Sequence, residues 1–334
     1  MRLRSAKAQQ HPRSAIQQTH SAARGIETRL GERMKKYLSL LLGLLILAAS
    51  LPAASLRPAP LKIVTTIFPL SEFAKEVAAD RGEVSLLLPP GAGVHTWQPR
   101  ASDILRLSSA DLVIQVGAGL EPWIPGLLKS ISSRKLRVLA VADSLPLNEH
   151  TEGEEGKAER DPHVWLDFGL DMVIADLIAA ELTEIDPSSA SVFQAGAGRL
   201  KARLQKLDAA YSLGLGHCAG RSLIIGGHAA FGYLAERYGL EQVSVSGLNP
   251  DAEALPRRLI STIVQGREQG VRAVFAEANT SPRMAEALAK ELHAEVLFLH
   301  AASNLNKKEW ESGRSFFDIM EENLRNLRRG LACE

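Results

Sequence analysis

The chain has 334 residues, of which 46% are hydrophobic and 23% are charged, and this composition excludes both a disordered polypeptide and a membrane protein with many spans. Its formal net charge is +1, or −6 without the basic residues 1–55, which excludes a strongly basic surface for nucleic acid. The length exceeds one typical core and predicts two domains.

The first predicted element is an export signal. Met34-Lys35-Lys36 precedes an almost entirely apolar run, Tyr37 to Ala49, and the small residues Ala53-Ala54-Ser55 follow. This order is typical of a cleavable signal peptide, and the run is shorter than the roughly 20 residues that span a bilayer. We expect translation to start at Met34 and residues 1–55 to be an N-terminal extension and signal peptide, with an uncleaved anchor as the alternative. No cysteine lies directly after the apolar run, so no lipoprotein anchor (lipobox) is expected.

Strand-like and helix-like segments then alternate, which predicts parallel βαβ units in a first lobe, residues 60–186. The predicted strands are Lys62–Thr66, Val84–Leu88, Leu112–Gln115 and Leu136–Val141, and the helices are Ser71–Val77, Ala101–Leu107 and Trp123–Ile131.

A polar stretch and a long helix separate this lobe from the next one. Residues 148–160 are predicted to be a solvated acidic loop with one histidine, His150, and five glutamates. Apolar residues at helical spacing from Leu170 to Leu182 predict one helix. Asp186-Pro187 then provides a helix start, and the linker helix, residues 187–212, is predicted to be roughly 37 Å long at 1.5 Å per residue.

The second lobe, residues 213–334, repeats the alternation. Its predicted strands are Ser222–Ile225, Gln242–Val245, Ala273–Ala276 and Glu295–Leu299, and its helices are Ala229–Tyr238, Pro256–Gln269, Ser281–Leu292 and Phe316–Arg329. We therefore predict an α/β fold of two lobes, each a parallel sheet flanked by helices, joined by one long helix. Cys218 and Cys333 form a possible disulfide, because export permits one, but the sequence does not show that they are close.

Four histidines fall where a ligand site is expected, since ligands of parallel α/β sheets bind beyond the carboxyl ends of strands. Three follow predicted strands and one lies in the rigid loop Asp161–Asp167; they are His95, His228, His300 and His163. Imidazole suits zinc, copper, nickel and iron, so the four predict a metal site in the cleft between the lobes. Each histidine taken alone is more often an ordinary core or surface residue than a ligand. Nearby aspartates are interpreted as helix-start and turn residues, with a role in orienting histidines as the alternative; they are Asp103, Asp161 and Asp167.

Over nearly all of residues 61–332 the chain resembles the metal-binding receptors of ABC importers for zinc and manganese, the cluster A-I family. The matching motifs are Leu87-Leu88-Pro89-Pro90-Gly91 with His95 and Pro99, Ala110-Asp111-Leu112-Val113, Leu120-Glu121-Pro122-Trp123, Asp161-Pro162-His163-Val164-Trp165-Leu166-Asp167, His228-Ala229-Ala230-Phe231-Gly232-Tyr233, Gly247-Leu248-Asn249-Pro250-Asp251 and Phe275-Ala276-Glu277.

The resemblance implies a single helix bridging the lobes, a metal ion in the cleft and delivery of the ion to the membrane permease of an ABC importer, without a catalytic step. A histidine at the third ligand position, His228, is similar to the zinc branch, because manganese receptors tend to carry glutamate there. We therefore expect a monomeric periplasmic Zn²⁺ receptor that binds no nucleic acid.

The chain departs from the family pattern at His300, where many members supply an aspartate as the fourth ligand. Either His300 binds and gives a four-histidine site, which we favour, or three histidines and a water hold the ion. Four neutral imidazoles leave the charge of the ion uncompensated, so Glu121 or Glu277 is expected to compensate it. His150 is a further auxiliary candidate.

Two alternative functions stay open. A receptor of the same family for manganese or iron differs only in its cargo. A secreted zinc hydrolase would need three histidines, an open coordination position and a general base beside the metal-bound water, and the sequence has no motif that indicates such a base.

Overall fold

The structure is a computed structural model that describes residues 31, 33–42, 59–131, 135–152, 157–249 and 256–334. The chain divides into two units, Met1–Pro58 and Ala59–Glu334. In the first unit, residues 33–42 are helical with exposed side chains, and the predicted cleavage region lies outside the described residues. No helix in the described part of the chain combines the length and the apolar character needed to cross a bilayer.

The first sheet has four parallel strands in the order β2-β1-β3-β4. The strands are β1 (Leu61–Thr65), β2 (Gly82–Leu86), β3 (Leu112–Gln115) and β4 (Arg137–Ala140), and the helices are α1 (Phe68–Ala78), α2 (Ala101–Ser108) and α3 (Ile124–Lys129). Apolar residues on both faces of the central strands are fully buried, among them Ile63, Val113 and Ile114. That burial is why these strands are continuous apolar runs in the sequence.

Residues 148–160, predicted to be a solvated acidic loop, include regular structure among the residues described. They contain an antiparallel ribbon of β5 (Glu149–Glu152) and β6 (Lys157–Arg160). The register pairs Glu149 with Arg160, and opposite charges across a strand pair are favourable. A ribbon of this kind has no apolar periodicity for sequence analysis to detect. The side chain of His150 lies outside the described part of the structure, as do those of residues 151–158.

Two helices connect the sheets: α4 (Phe168–Ile185) and the longer α5 (Ala190–Leu215), which has 26 residues. Gly196 of α5 packs so closely on α1 that a Cβ atom there would lie 2.5 Å from the Val77 carbonyl oxygen. Further along α5, the Tyr211 hydroxyl donates a hydrogen bond of 2.6 Å to the Met320 carbonyl oxygen. The long helix therefore contacts elements of both halves, as predicted, although it starts three residues later than expected.

The second sheet has the same topology as the first, with four parallel strands in the order β10-β9-β7-β8. Its strands are β7 (Ser222–Ile225), β8 (Glu241–Ser244), β9 (Ala273–Glu277) and β10 (Glu295–Leu299), and its helices are α6 (Gly232–Arg237), α7 (Pro256–Glu268), α8 (Arg283–Leu292), α9 (Lys307–Glu311) and α10 (Phe316–Gly330). The predicted α/β class, with two parallel sheets and a long helix, is confirmed. The lobe boundaries stay a prediction.

A disulfide joins Cys218 to Cys333, which are 115 residues apart in sequence. Cys218 precedes β7, and Cys333 follows α10. The bond therefore ties the C-terminus to the amino-terminal end of the second sheet, opposite the edge at which strands end and ligands are expected.

Candidate metal centre

Three of the four predicted histidines meet between the two sheets. His95 follows β2, His163 lies in the turn before α4, and His228 follows β7. One ring nitrogen from each lies within 4.8 Å of the others. The ring centroids of His163 and His228 are 5.2 Å apart, and His95 lies 5.7 and 5.9 Å from them respectively. Residues far apart in sequence thus converge on a point that one ion can occupy.

His163 is held by the aspartate two residues before it. Asp161 Oδ1 accepts a hydrogen bond of 2.9 Å from the His163 backbone N–H and lies 2.8 Å from His163 Nδ1. This contact leaves Nε2, which is buried and has no hydrogen-bond partner among the described residues. Burial is the main cause that lowers the pKa of His163, so the ring is neutral and Nε2 is free to coordinate.

His228 is oriented in the same way by Glu277, whose Oε2 lies 2.7 Å from His228 Nδ1. His228 follows β7 and Glu277 ends β9, and these adjacent strands flank the point where the strand order of the second sheet reverses. Such switch points form a crevice for ligands. Gly226, just before His228, has no room for a Cβ atom, which would lie 2.4 Å from Ala285 Cα.

His95 is less buried than the other two histidines and lies on a loop that a hydrogen bond from Trp123 holds in place. The Trp123 indole N–H donates a hydrogen bond of 2.8 Å to the carbonyl oxygen of Val94, whose side chain is buried. Burial, and then the nearby His163 and His228, lower the pKa of His95 to about 3. The His95 imidazole is therefore neutral near neutral pH, and its unprotonated ring nitrogen presents a lone pair to a cation.

His300 lines the same cavity, of about 220 Å³, as the three histidines, but it does not belong to their cluster. Its Nδ1 accepts a hydrogen bond of 2.8 Å from the Ala302 backbone N–H. The proton of the neutral ring is therefore on Nε2, which lies 3.4 Å from Glu309 Oε2. In this arrangement neither nitrogen offers a lone pair to the cavity.

Of the two glutamates expected to compensate the charge of the ion, one lies at the site and the other has a structural role. Glu277 lines the cavity, whereas Glu121 is absent from the described residues that line it. Glu121 instead accepts hydrogen bonds from the Thr66 hydroxyl and from the backbone N–H groups of Val116 and Gly117. Burial raises its pKa. It therefore holds the edge of the first sheet together and does not contact the three imidazoles.

Two of the three aspartates are helix caps, as predicted, and the third has the alternative role of orienting a histidine. Asp103 caps α2 through the Arg100 N–H, and Asp167 caps α4 through the N–H groups of Gly169 and Leu170. Asp161 is not a simple turn residue, because its carboxylate orients His163. The signal that reveals it is the spacing, since an Asp-Pro-His sequence places a carboxylate within reach of the ring two residues later.

The charge around the cluster suits a divalent cation. Three neutral imidazoles carry no charge, but Asp161 and Glu277 place a carboxylate behind two of them. A carboxylate that accepts a hydrogen bond from the N–H of a ligating histidine fixes the tautomer of the ring and raises the basicity of the ligating nitrogen. Three nitrogen ligands with a fourth position open match the preference of zinc for tetrahedral sites.

Comparison with known proteins places the chain among zinc-uptake components. Residues 63–330 match the family model described as zinc-uptake complex component A, periplasmic (ZnuA). The zinc-binding lipoprotein AdcA of Streptococcus pneumoniae is 34% identical over 278 residues, or 80% of this chain and 55% of that protein. The high-affinity zinc uptake system protein ZnuA of Bacillus subtilis is 32% identical over 280 residues, or 81% of this chain and 88% of that protein.

The fold is also found in solved structures. The zinc-bound ZnuA-like domain of Streptococcus pneumoniae AdcA has a TM-score of 0.69 and 32% sequence identity, and the match covers 82% of this chain and 99% of that domain. The chain therefore spans about half the length of the AdcA relatives, and that half includes the ZnuA-like domain.

Proposed function

The chain belongs to the ZnuA family, the periplasmic component A of zinc-uptake complexes, and on that premise we propose that it is an extracytoplasmic receptor that captures Zn²⁺ and delivers it to an ABC-type permease. The observation that carries the proposal is the convergence of three imidazoles from both sheets within 4.8 Å. Two of these rings are oriented by carboxylates, those of the buried Asp161 and the part-buried Glu277. Zinc is the cargo, and the protein performs no chemical step on it.

The ligands in this proposal are His95, His163 and His228. All three offer neutral nitrogen, which favours a borderline metal over manganese, because manganese prefers oxygen donors. Asp161 and Glu277 then compensate the two charges of the ion from behind the rings. Because both carboxylates are engaged with a histidine, neither is placed to act as a general base on a metal-bound water.

His300 as a fourth ligand stays a prediction. Coordination by Nε2 requires this nitrogen to lose its proton while Nδ1 still accepts from the Ala302 N–H. Otherwise the hydrogen bond from Ala302 has to break. The open fourth position is therefore proposed to be filled by a water or another small ligand unless the segment carrying His300 rearranges.

The proposed location is the periplasm, reached through a cleavable signal peptide and without a lipid anchor. The Streptococcus pneumoniae relative is named a lipoprotein, which means a protein with a lipid anchor. The two proteins would therefore differ in how they are attached to the cell. Mass analysis of the mature protein from its native host decides this point, since a cleaved, unmodified N-terminus supports the proposal and an N-terminal lipid contradicts it.

The decisive experiment is metal analysis. The protein is purified without added metal, and its metal content is measured by mass spectrometry. We expect close to one zinc per chain and, in chelator competition, much tighter binding of zinc than of manganese. Equal or tighter binding of manganese or iron would support a receptor of this family with a different metal as its cargo. The absence of stoichiometric metal would contradict the proposal.

A further inference from the structure

One short segment of the second half, residues 300–305, crosses to the first half and contacts both of its histidine-bearing loops. It begins directly after β10. The carbonyl oxygen of Ala301 accepts a hydrogen bond of 2.7 Å from the indole N–H of Trp165, two residues after His163. The Ser303 carbonyl oxygen accepts one of 3.0 Å from the Phe68 backbone N–H. We call residues 300–305 the crossing segment.

Asn304 is the residue of the crossing segment that holds the loop carrying His95. Its side-chain amide donates two hydrogen bonds, of 2.8 Å to the Pro89 carbonyl oxygen and of 2.9 Å to the Ala92 carbonyl oxygen. Its own Oδ1 accepts from the Leu305 N–H at 2.9 Å. The side chain is 8% exposed, so these bonds are shielded from water and costly to leave unmade.

A backbone bond completes the connection, because the Gly91 N–H donates to the Leu305 carbonyl oxygen at 2.8 Å. Loop residues 89–92 are thus held at three points, and His95 follows three residues later. The crossing segment itself is constrained, since Ala302 has a positive φ of 60°. A non-glycine residue there costs on the order of 1 kcal/mol and persists only where the surroundings impose it.

We propose that Asn304 is a positioning residue that holds the His95 loop against the second half, and that it thereby sets how slowly zinc leaves the site. The inference rests on the proposed function. The polar groups of the Asn304 side chain are engaged in these hydrogen bonds, its oxygen with the Leu305 N–H and its amide protons with the Pro89 and Ala92 carbonyl oxygens. It acts through the position of His95, the one of the three ligands whose ring no carboxylate of the described residues orients.

The test compares Asn304→Ala and Asn304→Asp with wild-type protein and with Asn326→Ala. Asn326 is the control, because its amide donates to the Phe298 carbonyl oxygen at 2.8 Å, on β10 directly before the crossing segment and without crossing between the halves. We expect zinc to dissociate from Asn304→Ala on the order of 10-fold faster, the range seen for outer-shell partners of metal ligands. Asn304→Asp keeps the shape and directs oxygen at two carbonyl oxygens, so it is expected to release zinc at least as fast.

Two further readouts separate positioning from a general loss of stability. Amide hydrogen exchange in residues 91–97 is expected to speed up in the metal-free Asn304 variants and to stay unchanged in Asn326→Ala. A lower melting temperature with an unchanged zinc dissociation rate would overturn the inference and show a structural role only. Failure of wild-type protein to bind zinc would instead overturn the proposed function, so the two failures are distinguishable.

Discussion

Glu277 Oε2 lies 2.7 Å from His228 Nδ1, and this pair joins the ends of two adjacent strands of the second sheet. The side chains of both residues are largely buried, with 5% of the histidine and 12% of the glutamate exposed. The carboxylate fixes Nδ1 as the protonated nitrogen, which directs the lone pair of Nε2 towards the other two imidazoles. The same relationship links Asp161 to His163, so the centre contains two carboxylate–histidine pairs.

Replacing Glu277 by glutamine is expected to weaken zinc binding by about 10- to 100-fold, the usual loss when the hydrogen-bond partner of a ligating histidine is removed. Glutamine keeps the size of the side chain but removes the charge that compensates the ion. Chelator competition measures the dissociation constant, and Glu291→Gln is the control, because Glu291 forms an exposed ion pair with Arg267. A Glu277→Gln dissociation constant within twofold of wild type would contradict the assigned role.

Replacing His228 by alanine removes a ligand, so the loss is expected to exceed that of Glu277→Gln and to reach more than about 100-fold. The measurement is again chelator competition, with folding checked by circular dichroism. His217→Ala serves as the control, since His217 is exposed in the turn after α5. If His228→Ala and His217→Ala bind zinc equally well, the three-histidine assignment is wrong.

His300→Ala distinguishes the two coordination schemes. Because His300 lines the cavity but its Nδ1 is engaged by Ala302, we expect a loss larger than for His150→Ala and smaller than for His228→Ala, on the order of 10-fold. X-ray absorption of the zinc-loaded protein counts the imidazoles independently. A loss equal to that of His228→Ala, with four imidazoles in the wild-type spectrum, would establish the four-histidine site, and no loss at all would remove His300 from the site.

The buried carboxyl group of Asp171 leads us to expect that the stability of the protein depends on pH even when no zinc is bound. It is fully buried in α4, and neither of its carboxyl oxygens has a hydrogen-bond partner among the described residues. Burial, with a smaller contribution from Asp167, raises its pKa well above the ordinary value of 3.8, while Arg237 opposes the shift. Between 3.8 and the raised value the folded state binds more protons than the unfolded state, so stability falls as the pH rises through this window.

Asp171→Asn is therefore expected to raise the melting temperature of the metal-free protein at pH 8 and to leave it nearly unchanged at pH 4. Each kcal/mol shifts the melting temperature of a chain of this size by roughly 2–4 °C. Asp176→Asn on the same helix is the control, because Asp176 is exposed and pairs with Lys201. Equal effects of Asp171→Asn at both pH values would contradict the prediction.

The disulfide gives a further prediction, because Cys218 and Cys333 are 115 residues apart, and a cross-link that closes a loop of this length stabilises a protein by about 5 kcal/mol in the chain-entropy account. The double variant Cys218→Ser/Cys333→Ser is expected to unfold at clearly lower denaturant concentration and to keep the wild-type affinity for zinc. The affinity is unaffected because Cys218 precedes β7 and His228 follows it, at opposite ends of the strand. Equal unfolding midpoints for oxidised wild type and the variant would contradict this prediction and argue against the bond in the exported protein.

The sequence by itself determined the alternation of strands and helices, and with it the two parallel sheets and the long helix between them, because burial on both faces and helical spacing leave periodic signals. It also determined which histidines lie at strand ends, since strand ends in parallel sheets form one edge.

Only the tertiary structure decided which histidines come together and which carboxylates form hydrogen bonds with them. The pairing of Glu277 with His228 depends on two strands becoming neighbours, and the engagement of His300 by Ala302 depends on the backbone of one turn. The polar ribbon of residues 149–160 and the hold of Asn304 on the His95 loop likewise consist of hydrogen bonds and register. Such contacts leave no periodic mark in the sequence, because their partners are backbone groups that every residue carries.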